Sequence, residues 1–188
     1  MNLNASIKYQ VYENKSSIII YYIVILAVIL LSMTGHIFFP NVIVISGNTN
    51  GFELSTMIFL FIAGMNSFRE TFCMLVQNSI SRKTIFITRL ISTGIIGAGM
   101  ALADRLLVSI GKLLQPDNPS FAITSLHEAL YQRNAGGFGN AVEGLLFATV
   151  SYITVWLLGY FITVGYYRMS KGGKITVSIA VPVSLFVV

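Results

Sequence analysis

Four long apolar runs separated by polar stretches make up most of this 188-residue chain. They cover residues 17–39, 52–68, 85–108 and 141–166, and a shorter fifth run covers 175–188. At about 1.5 Å per residue, each of the first four crosses or nearly crosses a hydrocarbon core about 30 Å thick. The runs lack the alternation of membrane-barrel strands. The pattern therefore predicts an all-α, polytopic membrane helix bundle, in which each helix satisfies its own backbone groups.

The fifth run is too short for a complete span, because as a helix it would reach only about 21 Å. We therefore expect the natural chain to continue past Val188, to complete a fifth span and to add a sixth. Residues 1–188 are predicted to form one transmembrane domain. Its polar parts are an N-terminal segment at 1–16, a loop at 69–84 and a longer connection at 109–140.

Basic residues are concentrated on one side of the predicted membrane. Nine lie in the N-terminal segment or in the loops at 69–89 and 167–174, whereas the other side has only Arg105, Lys112 and Arg133. Cytoplasmic loops carry the excess of Lys and Arg in membrane proteins. The N-terminus and the 69–84 loop are therefore predicted to be cytoplasmic, in a multi-pass protein of a bacterial-type plasma membrane.

Composition excludes several classes of protein. Only 10% of the residues are charged and 55% are hydrophobic, with a mean hydropathy of +0.76, whereas soluble domains carry about 25% charged residues. The net charge of +5 follows the predicted topology, so it indicates orientation and not a nucleic-acid partner. A single cysteine, Cys73, rules out an intrachain disulfide.

The polar loop at 69–84 contains a short amphipathic pattern followed by a corner. The positions that recur at helical spacing are Phe68, Phe72, Leu75, Val76 and Ser79. They predict a short helix that continues the second span. Asn78 is a predicted helix terminator, and Ser81 is a predicted N-cap of the next helix, because its hydroxyl can accept a free backbone N–H group. Arg82 and Lys83 would then be displayed at the tip of the corner.

This segment resembles the coupling helix of permease subunits in ATP-binding cassette transporters of the ABC-2 exporter type. The sequences "FRETF" at 68–72 and "LVQNSISRKTIF" at 75–86 are similar to an aromatic–acidic helix followed by N-G-x-S-R-x-x-x-F. Asn78, Ser81, Arg82 and Phe86 match that pattern, and Ser79 stands where glycine is usual. In that family the coupling helix docks into a groove of a partner ATPase. The ATPase contacts that the resemblance implies are Phe72, Leu75, Asn78, Ser79, Ser81, Arg82 and Lys83.

The resemblance also implies that the chain is a permease subunit and not itself an enzyme. Its partners would be ATPase subunits that bind ATP and Mg, a second permease (identical or different) and membrane lipids. The cargo would be a lipid, a peptide or another amphipathic molecule. No cofactor is expected on this chain, and the sequence has no phosphate-binding loop, because Arg168 stands where the first glycine of G-x-x-x-x-G-K should precede Gly173 and Lys174.

Small residues and two opposite charges mark the third span. The small residues are Gly94, Gly97, Ala98 and Gly99. Their spacing allows helix backbones to approach closely, within the subunit or across a permease dimer. Asp104 and Arg105 are predicted to reach the outer headgroup region, either as a structural interface pair or with a gating or substrate-pathway role.

The outer connection at 109–140 carries a helix-start signal. Ser125 and Glu128 have the spacing of a capping box, which predicts a short outer helix over 126–133. The two histidines, His36 and His127, have no Cys, Asp or Glu at ligand spacing, so the sequence predicts no metal site.

Two other classes of function are compatible with the same residues. One is a substrate-capture subunit similar to those of energy-coupling transporters, which have a similar size and dock through helix faces of small residues such as 94–99. The other is a structural or immunity membrane protein. Co-purification of an ATPase with the chain would favour the permease over both.

Overall fold

The computed structural model describes residues 3–38, 52–78, 80–114, 125–131, 138–174 and 176. Within these ranges the chain is almost entirely helical and contains no strand. The helices are α1 (Leu3–Phe38), α2 (Phe52–Asn66), α3 (Arg69–Gln77), α4 (Arg82–Leu114), α5 (Leu126–Tyr131) and α6 (Phe138–Arg168). The predicted all-helical class is confirmed for this part of the chain.

The four long apolar runs correspond to α1, α2, α4 and α6. Of these, α1, α4 and α6 are long and apolar enough to cross a membrane, whereas the 15 residues of α2 reach about 23 Å. Because α1 begins at Leu3, most of the polar N-terminal segment is the first part of that helix. The fifth run, 175–188, lies outside the described residues apart from Thr176, so the number of spans stays a prediction.

Helix α6 packs against both α2 and α4, and α1 packs against α4. The core residues are Leu60, Ile96, Met100, Ala101, Ala148, Tyr152 and Trp156. Elsewhere α4 and α6 expose large apolar side chains such as Ile91, Leu106 and Leu146. In water such a surface would be unfavourable, and it suits contact with lipid acyl chains.

Two glycines allow α2 and α6 to approach closely. A Cβ atom at Gly64 would collide with the backbone carbonyl of Trp156, and one at Gly159 would collide with the backbone carbonyl of Phe61. Each glycine thus lies directly against the backbone of the other helix. Small residues at membrane-helix contacts permit this separation and the dispersion contacts that come with it.

The small residues predicted for packing on α4 divide into two groups. A Cβ at Gly97 would lie 3.0 Å from the side chain of Ile153, so this glycine lies at the α4–α6 contact. Positions Gly94 and Gly99 have no described atom within 4 Å of such a Cβ, and Ala98 is partly exposed. Gly97 therefore contributes to packing within the subunit, and the described residues leave space at Gly94 and Gly99 for lipid or a second subunit.

Candidate functional site

Local hydrogen bonds build the corner between α3 and α4. The Asn78 side chain donates from Nδ2 to the Met74 carbonyl at 2.8 Å, where α3 ends. The Ser81 hydroxyl accepts the Thr84 backbone N–H at 3.2 Å, as an N-cap does for the third residue of its helix. The predicted roles of Asn78 as helix terminator and of Ser81 as N-cap are confirmed.

The residues predicted to contact an ATPase divide into exposed and buried ones. Those that lie exposed at the corner are Asn78, Ser81, Arg82 and Lys83. Leu75 is only 3% exposed, so the structure places its side chain inside this chain and not on the surface available to a partner. Phe72 is partly buried and stacks on Phe68, with ring centroids 5.1 Å apart. Ser79 lies outside the described residues.

Two other apolar side chains are exposed beside the corner. Met74 is 47% exposed on α3, and Phe86 is 42% exposed on the first turns of α4. The members of this surface, which we call the corner surface, are Met74, Asn78, Ser81, Arg82, Lys83 and Phe86. Met74 was missed in the sequence because the apolar face of α3, which the periodicity identifies, is turned towards the bundle.

Side-chain contacts tie α3 and α4 to the other helices near the corner. The Thr71 hydroxyl lies 2.7 and 3.0 Å from the two carboxylate oxygens of Glu13 on α1 and donates to this carboxylate. Arg89 of α4 donates from Nη2 to the backbone carbonyl of Ser67, between α2 and α3, at 2.8 Å. Hydrogen bonds therefore join α3 to α1, and α4 to the segment that follows α2.

A buried polar ladder joins the first part of α1 to α4. Gln10 donates from Nε2 to the Thr88 hydroxyl at 3.0 Å and accepts from the Ser92 hydroxyl at 2.8 Å. The Ser6 hydroxyl also donates to Thr88, at 3.3 Å. Periodicity did not reveal this ladder, because polar residues before an apolar run are expected to be solvated and their partners lie more than seventy positions away in the chain.

Asp104 lies in the interior, with a side chain only 1% exposed. Its Oδ1 accepts from the Tyr22 hydroxyl at 2.8 Å, and its Oδ2 accepts from the Tyr152 hydroxyl at 2.5 Å. Arg105 points elsewhere, since its guanidinium occupies the space over Gly144 on α6. In place of the predicted headgroup-level pair of Asp104 and Arg105, the structure gives the carboxylate two tyrosine donors from other helices, because adjacent helical residues project in different directions.

The polar layer around Asp104 extends to α2. Tyr21 is hydrogen-bonded to the Thr56 hydroxyl at 2.8 Å, and its ring stacks on Phe59 with centroids 4.4 Å apart. Four helices thus contribute to one polar layer. An ionisable side chain inside a membrane-spanning helix is costly and is a candidate functional residue by default. In the sequence, Asp104 gave the signal for this site, whereas Tyr22 and Tyr152 gave none.

The predicted capping box of α5 is confirmed. The Glu128 N–H donates to the Ser125 hydroxyl, and the Ser125 N–H donates to the Glu128 carboxylate, both at 3.3 Å. Glu53 of α2, only 4% exposed, accepts the Leu126 N–H at 2.8 Å and so fixes α5 to the bundle. The predicted continuation of α5 to residue 133 falls outside the described residues.

These sites offer molecular recognition. The corner surface presents two cations and two apolar side chains, and the interior holds a carboxylate between tyrosines. Among the described residues, no three His, Cys, Asp or Glu side chains lie close enough together to hold a metal ion. Comparison of the chain with protein-family models, with curated proteins and with solved structures finds no match.

Proposed function

We propose that this chain is a permease subunit of an ATP-driven transporter and that a separate ATPase subunit docks on the corner surface. The observation that carries this proposal is the combination of exposed Arg82 and Lys83 with exposed Met74 and Phe86 at the junction of two helices. Cations at the rim of an interface steer a partner that has an acidic groove, and apolar side chains that become buried hold it there.

The internal contacts of the corner support a coupling role. The Thr71 hydroxyl donates a hydrogen bond to the Glu13 carboxylate on α1, and the Arg89 guanidinium donates one to the Ser67 carbonyl. An ATPase that pushes on the corner would therefore move several membrane helices together, instead of bending an isolated loop. ATP and Mg would be bound by the partner. This chain would form the path for a lipid, a peptide or another amphipathic cargo with a second permease subunit.

A substrate-capture subunit is the second candidate. The observation that favours it is Asp104, a buried ionisable residue held by Tyr22 and Tyr152, since such residues mark solute or ion pathways in membrane proteins. The two candidates differ at the corner. Only the permease requires a direct contact between the corner surface and an ATPase.

A photo-crosslinking amino acid at Lys83 should capture a protein that carries G-x-x-x-x-G-K-[ST], because that motif holds the phosphates of ATP. The matched position is Leu130, which is 61% exposed on α5. Mass spectrometry of the crosslinked products from native membranes would identify the partner. Absence of such a protein at position 83, or its equal capture from both positions, would contradict docking at the corner.

Docking of a cytoplasmic ATPase requires the corner surface to face the cytoplasm. In a Cys73→Ser background, we expect Gly139→Cys to react with an impermeant maleimide from outside intact cells and Lys171→Cys to react only after permeabilisation. Position 139 has open space for a side chain, and Lys171 is exposed near the end of α6 that carries Arg168. The reverse labelling pattern would put the corner outside the cell and would exclude the proposed contact.

A further inference from the structure

Arg89 lies inside the bundle with most of its hydrogen-bonding capacity unused. Its side chain is 2% exposed, and Nη2 donates to the Ser67 carbonyl at 2.8 Å. Neither Nε nor Nη1 has a hydrogen-bond partner among the described residues. These two nitrogens carry three N–H donors, and buried donors without acceptors cost free energy. The described part of the chain therefore supplies no acceptor for these three donors.

Besides Arg105 Nε, two more buried groups on α4 and α6 have no hydrogen-bond partner among the described residues. They are the Thr93 hydroxyl, one turn along α4 from Arg89, and Trp156 Nε1, one turn along α6 from Tyr160. Both side chains are 1% exposed. The Tyr160 ring centre lies 5.8 Å from Cζ of Arg89, so the two helices face each other at this level.

The register of α4 and α6 places these groups at neighbouring levels. Arg89 is level with Tyr160, and Gly97 is level with Ile153. Because the two helices run in opposite directions, Thr93 and Trp156 lie at the level between those two contacts. The guanidinium, the hydroxyl and the indole N–H thus lie at successive levels along α4 and α6. Indole and guanidinium groups only donate, so the missing partner is an acceptor.

Glu13 does not fill this role. Glu13 acts electrostatically on Arg89, but its carboxylate accepts from Thr71. Both Glu13 and Ser67 line a groove of about 240 Å³ between α1 and α2. Since the Ser67 carbonyl accepts from Arg89, this groove is lined by a residue that the guanidinium contacts.

We propose that Arg89, Thr93 and Trp156 form a buried binding site for an anionic oxygen group, either carboxylate or phosphate, that enters beside Ser67. A guanidinium matches the geometry of both groups. The group can belong to a free anion, to an amphiphile or to a lipid headgroup. This site rests on its own contacts and does not depend on the ATPase-docking role proposed for the corner surface.

Tryptophan fluorescence tests this site directly, because Trp156 is the only tryptophan in the chain. Purified protein in neutral detergent would be titrated with inorganic phosphate and with octanoate. Nanodiscs of phosphatidylcholine would be compared with nanodiscs that also contain phosphatidylglycerol. We expect a saturable change in emission in at least one arm. The responding arm identifies the source as free phosphate, a carboxylate amphiphile or a lipid headgroup.

Substitutions distinguish a site that binds an anion from a polar pocket that is filled with water. Arg89→Gln should weaken the response at least about tenfold, since hydrogen bonds to charged groups are the strong ones, and Thr93→Val should weaken it as well. The matched controls are Arg168→Gln and Thr154→Val, which alter exposed residues of α6 and should leave the response unchanged.

If Arg89→Gln fails to fold, Thr93→Val still tests the site, because the valine removes one hydroxyl while conserving side-chain shape. The proposal would be overturned by the absence of a saturable response in all arms. An equal response in folded Arg89→Gln, or equal responses in Thr93→Val and Thr154→Val, would overturn it too.

Discussion

Replacement of both Arg82 and Lys83 by glutamate should weaken ATPase association by at least about tenfold while the chain still folds and inserts. Both side chains are exposed on the corner surface. The substitution converts attraction for an acidic groove into like-charge repulsion, which costs several kcal/mol across an interface. About 1.4 kcal/mol corresponds to a tenfold change in affinity. Insertion should persist because Lys8, Lys15, Arg168 and Lys171 remain as basic topology signals on the side predicted to be cytoplasmic.

The measurement is a pull-down of the ATPase identified by crosslinking, together with cargo-stimulated ATP hydrolysis in proteoliposomes. The matched control is Arg168→Glu with Lys171→Glu, which makes the same change of charge at two exposed residues near the end of α6. An unaffected association in the 82/83 variant would remove the corner surface as the docking site. Equal losses in both double variants would mean that only net charge matters.

Replacement of Gly64 by alanine should destabilise the protein by about 1–3 kcal/mol, the usual cost of inserting a methyl group into a packed interface. The new Cβ would collide with the backbone carbonyl of Trp156, which cannot rotate away as a side chain can. Helices α2 and α6 would have to separate, with loss of dispersion contacts along their length. Gly159→Ala should act in the same direction, because its Cβ would meet the carbonyl of Phe61.

Gly99→Ala is the matched control, since its Cβ would have no described atom within 4 Å. Alanine is favoured over glycine in a helix by about 1 kcal/mol, so this variant should be neutral or more stable. Stability would be measured as reversible unfolding in mixed micelles, followed by circular dichroism. Equal effects of Gly64→Ala and Gly99→Ala would contradict the close α2–α6 contact.

The corner between α3 and α4 shows which features a local sequence pattern can predict. Asn78 and Ser81 could be assigned from the sequence because a helix terminator and an N-cap bond to backbone groups three or four positions away. The burial of Leu75 could not be predicted from the sequence. Periodicity shows that a residue belongs to an apolar face, but it does not show what that face covers. In the folded chain the face is turned inward, and Met74 and Phe86 are exposed instead.

The α4 glycines show the same limit of a local sequence pattern. Their spacing predicted close packing, yet of Gly94, Gly97 and Gly99 only Gly97 meets another helix among the described residues, whereas the close contact of α2 with α6 depends on Gly64 and Gly159. Which face of a membrane helix meets a neighbour depends on how several helices pack at once. The spacing of small residues along one helix carries no information about that arrangement.

By itself, the sequence determined the properties that depend on neighbours along the chain. These are the helical class, which follows from long apolar runs that must satisfy their own backbone groups, and the caps of α4 and α5, which follow from polar side chains at helix starts. Only the tertiary structure decided that Asp104 is held by Tyr22 and Tyr152, and that Arg89 and Thr93 are buried with polar atoms that have no partner among the described residues. Tyr22 and Tyr152 lie on helices far from Asp104 in the sequence, and the environment of Arg89 and Thr93 exists only once α4 is packed against the other helices.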